Sequence, residues 1–61
     1  MKTFTNELGN QVTVDVAEKV INGVDGILIR MEGPTSRTEN EITRMEAKVL
    51  FDQLKEVLRQ G

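Results

Sequence analysis

The sequence predicts an α+β domain, a three-stranded antiparallel meander followed by one amphipathic helix on one face of the sheet. Three observations carry this. Apolar residues recur with a helical period in the last third of the chain. Valines alternate with polar residues at 11–17, and Asn22-Gly23 stands between two stretches of strand character.

The helix is the clearest element. Ala47, Leu50, Phe51, Leu54, Val57 and Leu58 fall on one stripe of a 3.6-residue repeat, with Lys48, Asp52, Lys55, Glu56 and Arg59 on the remaining surface. Thr43 and Glu46 have the spacing of a capping box, and Ile42 and Ala47 frame it as a hydrophobic staple. Thr38 and Glu41 offer a competing start with the same chemistry, and Thr43 is preferred. Arg59 suits the helix C-terminus and Gly61 ends it.

Upstream, Lys2 to Glu7 reads as a short strand closed by a turn at Leu8-Gly9-Asn10. Val12, Val14 and Val16 alternate with Thr13 and Asp15, the period of a strand with one covered face. A loop that opposes Phe4 to Val14 keeps the phenyl ring on that face; a one-residue slip would turn it to the polar side. Ala17 to Gly23 admits either a short helix capped by Asp15 or a continued strand turning at Asn22-Gly23. The continued strand is preferred, since that turn sets Val16 opposite Ile29 and Val14 opposite Met31. Gly26 to Glu32 is the third strand, ended by Gly33-Pro34 because proline has no amide to continue a ladder. The stretch 34–41 reads as a polar connection. The expected core is Phe4, Val12, Val14, Val16, Ile27, Ile29 and Met31 against the helix stripe.

At 61 residues the chain makes one domain spanning 1–61, with no cysteine for a disulfide. A domain this short buries only about 60% of its unfolded surface, so self-association is the expected support. A homodimer or larger symmetric oligomer follows as an expectation. Its contact residues are sought among apolar side chains outside the expected core. These are Ile42, Met45 and Val49 on the back of the helix, which align if the helix starts early, and Ile21, Val24 and Leu28 on the far sheet face. The helix-back group ranks slightly first.

Several function classes are excluded or weakened. Eight basic residues are dispersed in a chain of net charge −2, and Phe4 and Phe51 are the sole aromatics, which argues against nucleic acid. No apolar run approaches the roughly 20 residues of a membrane span; with no export signal, a cytoplasmic location is the default expectation. Histidine, cysteine and tyrosine are absent, and Ser36 has no base in a recognisable spacing, so no catalysis and no cofactor are expected. Glu39, Glu41 and Glu46 lack metal-loop spacing and suit a helix start instead. The loop 33–38, with Ser36, Arg37 and nearby Arg44, is a weak candidate for holding an anion at the helix start, and matches no phosphate-loop fingerprint.

Thr43-x-x-Glu46-Ala47 followed by leucines is generic cap-and-stripe wording, and no family resemblance is drawn from it. By size and make-up alone the chain is similar to the small acidic proteins that phages and mobile elements encode to bind host proteins. The expected function is therefore a non-enzymatic module that binds and modulates or inhibits a larger protein, such as a host defence system. The alternative is a module binding a small ligand, nucleotide or nucleic acid through loop 33–38.

Overall fold

In the computed structural model, which describes residues 1–60, each strand pairs with its neighbour in sequence. The order is β1 (Lys2–Thr5), β2 (Gln11–Ile21), β3 (Val24–Glu32) and β4 (Arg37–Thr43) in one antiparallel sheet, followed by α1 (Arg44–Gln60). Gly61, expected to end the helix, lies outside the described residues.

The central hairpin follows from the Asn22-Gly23 turn. Both residues have positive φ, 49° and 78°, the pair of left-handed conformations that a two-residue turn needs to match strand twist. β2 continues without a break through Ala17–Ile21, so no short helix forms there. The turn fixes the ladder, with Val14 opposite Met31 and Val16 opposite Ile29 as expected.

The first hairpin differs from expectation. Phe4 pairs with Val12, two residues away from Val14. The cause is the side chain of Asn6, whose Oδ1 accepts from the amides of Leu8 at 2.9 Å and Asn10 at 3.0 Å. The Asn6 amide also donates to the Asn10 carbonyl at 2.9 Å. This asparagine-centred turn makes a longer loop than the Gly9-Asn10 signal suggested. A slip of two residues preserves the face, so Phe4 still stands with the valines.

The sheet has four strands, and the three-strand expectation is corrected at 37–43. Gly33 to Ser36 forms a tight connection, with the Gly33 amide donating to the Ser36 carbonyl at 2.8 Å. The chain then pairs with β3 from Arg37 opposite Glu32 to Thr43 opposite Gly26. β4 reads RTENEIT, and its two faces alternate polar with polar over most of its length. Hydropathy therefore carries no period of two there. The open edge of β3 supplies the template.

α1 begins where the Thr43 box places it, not at Thr38. The Glu46 amide donates to Thr43 Oγ1 at 3.2 Å, and the Thr43 amide donates to Glu46 Oε1 at 2.8 Å. The Thr43 amide, and then its hydroxyl, hold the Glu46 carboxyl below its ordinary value of 4.5. A carboxyl lowered in the folded state stabilises the fold above its unfolded value and loses that contribution as pH falls through the folded one. Circular dichroism from pH 6 to pH 2.5 is thus expected to show loss of helix signal beginning below the ordinary value. Glu46→Gln should flatten that part of the profile; an unchanged profile would remove the box from the account.

Candidate interaction surface

Paired residues in an antiparallel ladder share a face. One face of the sheet carries Phe4 and Val12, then Val14 and Met31, then Val16 and Ile29, then Ile27 and Ile42. Lys2, Glu18, Asn40 and Thr38 stand around this apolar block. The expected core residues of the sheet are thus gathered on one surface, with Ile42 added by β4.

None of these side chains is buried among the described residues: Val12, Val14, Ile27, Ile29 and Ile42 are half-buried, and Phe4, Val16 and Met31 are exposed. The expectation that the helix lies across this face is corrected: α1 buries none of its residues. Val16 is 59% exposed and Met31 47%, while Phe51 and Leu54 on the helix stripe are 62% and 52% exposed. Among the described residues no hydrophobic side chain is buried, and Gly26 alone is. The radius of gyration is 13.3 Å, against about 10.5 Å for a compact chain of this length.

The reason lies at the β4–α1 junction. Thr43 ends β4 and caps α1, so no linker residue is left to let the helix turn back over the sheet. Gly26 pairs with Thr43, and a Cβ on it would stand 2.8 Å from the Ile42 carbonyl oxygen and 2.5 Å from Ile21 Cδ1. Its lack of a side chain lets Ile21 and the junction backbone close over it. The Arg44 guanidinium, at 3.4 Å, donates to Glu18 Oε1 on β2 and braces the first turn further.

The contact residues expected from sequence separate here. Ile42 belongs to β4 and lies opposite Ile27, so it does not align with Met45 and Val49. Met45 and Val49 do project from the back of α1 as exposed residues, among the charged positions of that side. The stripe from Ala47 to Leu58 is the more continuous apolar surface of the helix, with Leu50, Phe51, Leu54, Val57 and Leu58 all exposed. On the far sheet face, Ile21 lies opposite Val24 and Leu28 opposite Ala17. The Lys19–Glu41 ion pair joins β2 to β4 on this face, with Lys19 opposite Gly26 and Glu41 opposite Leu28.

The remainder of that face is polar. Thr3 and Thr13 hydroxyls share a hydrogen bond of 2.9 Å, Asp15 pairs across the ladder with Arg30, and Arg37 lies 3.8 Å from Glu32 and 3.7 Å from Glu39. The anion candidates do not converge. Ser36 sits in the β3–β4 connection, Arg37 opens β4 and Arg44 follows its end. The two arginines thus stand seven positions apart along β4, about 23 Å. Loop 33–38 lies away from the helix start, and both arginines have carboxylate partners. Among the described residues no group of acidic, histidine or cysteine side chains is placed to hold a metal ion, and no helix is long and apolar enough to cross a membrane.

Sequence reasoning missed the role of Gly26, which it used only to open a strand. A glycine facing the junction residues of two neighbouring strands becomes informative only once β4 is recognised. No protein-family model, curated protein or solved structure matches the chain.

The junction analysis gives a direct expectation. Gly26→Ala should destabilise the protein by about 1–3 kcal/mol, the usual cost of forcing a methyl group into occupied space. Urea denaturation followed by circular dichroism measures this; a loss within error would show that Ile21 and β4 yield freely.

Proposed function

We propose that the protein is a cytoplasmic, non-enzymatic interaction module: a homodimer or larger symmetric assembly that binds a larger protein and modulates it. The observation that supports this reading is the uncovered apolar surface. A folded monomer of 6.9 kDa has an accessible area of about 4,000 Å², whereas this chain exposes 5,289 Å². An isolated chain with both a sheet face and a helix stripe in water has little to offset its conformational entropy. Association is the route that remains to a chain without disulfide or metal staple.

The polar sheet face and the outer edges of β1 and β4 stay available to a second protein after self-association. An exposed strand edge is a ready template for an added strand. Ion pairing of Lys19, Arg37 and Arg44 with carboxylates favours a protein partner over a phosphate backbone. The narrower form of the proposal is an inhibitor of a host defence protein, of the kind phages and mobile elements encode.

Sedimentation equilibrium at micromolar concentrations should return a mass of at least twice 6.9 kDa; a single-chain mass at high micromolar concentration ends the proposal. Leu54→Ala separates the cases further. At a side chain half exposed in the single chain the substitution should be nearly neutral, whereas in an assembly that covers Leu54 it should cost about 2–5 kcal/mol. The melting temperature should then rise with protein concentration. Tight DNA or RNA binding that weakens with salt would favour the nucleic-acid alternative instead.

A further inference from the structure

We propose that the missing cover of the sheet is α1 of a second copy, so that two chains exchange helices, each stripe lying on the other chain's apolar face. This rests on the reading of the protein as a homo-oligomer and specifies how it closes. Both surfaces belong to one chain, and the linker-free junction at Thr43 keeps them apart within it. A two-fold exchange removes both from water at once, because each copy gives one helix and receives one.

Area, size and charge agree with this occupant. The chain's accessible surface exceeds that of a compact monomer by about 1,300 Å². Two copies burying that excess give about 2,600 Å², within the range of obligate homodimers. The stripe from Ala47 to Leu58 is about 17 Å long at 1.5 Å per residue. The apolar rows Val12–Val16 and Ile27–Met31 are each about 13 Å long, so one stripe spans them. The charges of α1 lie on the side away from the stripe: Lys48, Asp52, Lys55, Glu56 and Arg59 would remain in water. Met45 and Val49, on that same side, are not part of the contact.

The deciding spectra use wild-type protein. Isotope-labelled and unlabelled chains are unfolded, mixed and refolded together, and filtered nuclear Overhauser spectra record contacts between chains only. Exchange predicts inter-chain contacts from the methyl groups of Leu50 and Leu54 to those of Val14, Val16 and Ile29. Val49→Glu should leave the sedimentation mass unchanged. Helix-to-sheet contacts found only within a chain, or inter-chain contacts of helix with helix or sheet with sheet, would overturn the exchange. A dimer with those other contacts leaves the homo-oligomer reading standing, whereas a single-chain mass removes both.

Discussion

The structure depends on one constraint: a strand and a helix share Thr43. Its backbone closes the β4 ladder opposite Gly26, and its hydroxyl caps the helix that starts at the next residue. The direction of α1 is thereby set by the edge of the sheet, and no loop exists to absorb a change of direction. The bareness of the apolar sheet face, the extended shape of the chain and the exposure of the helix stripe all follow from this. In most small α+β units a few connecting residues let the helix fall back onto its own sheet.

The two sheet faces are distinct in kind. One is a block of branched aliphatic side chains with Phe4 and Met31. The other is crossed by threonines and by ion pairs such as Lys19–Glu41 and Arg37–Glu39. Exposed ion pairs contribute little stability, but the alternating charge keeps this part of the face well solvated, with apolar side chains confined to the end at Ala17, Ile21, Val24 and Leu28. The sheet therefore has one face that is mainly apolar and one that is mainly polar.

Much of this was legible in the sequence where the signal was local. The period of the helix, the Thr43–Glu46 box and the Asn22-Gly23 turn each depend on a few neighbouring residues, and each forms as read. The β1–β2 register was legible to its face but not to its pairing, because the Asn6 side chain builds a loop that no two-residue turn signal encodes. β4 was hidden for a different reason: a polar edge strand has no hydropathy period, and its existence depends on the edge of β3. The separation of helix from sheet was least accessible, since it depends on how many residues lie between strand and cap, and that number was known only once β4 was. For the candidate surface, the apolar residues were legible as a set, whereas their division between two unpaired faces was not.

The meander carries a consequence for how the chain folds. Every ladder joins strands adjacent in sequence, through connections of two to five residues. Such pairings close small loops and form on microsecond timescales. The sheet can thus assemble hairpin by hairpin from the Asn22-Gly23 tip outward, without waiting for any distant contact. The helix stands outside this sequence of events. From the sheet it gains its Thr43 cap and the Arg44–Glu18 brace, and most of a helix's stability comes from packing of its apolar stripe. Its ordering therefore depends on the surface its stripe meets, whereas the hairpins depend only on their neighbours in sequence.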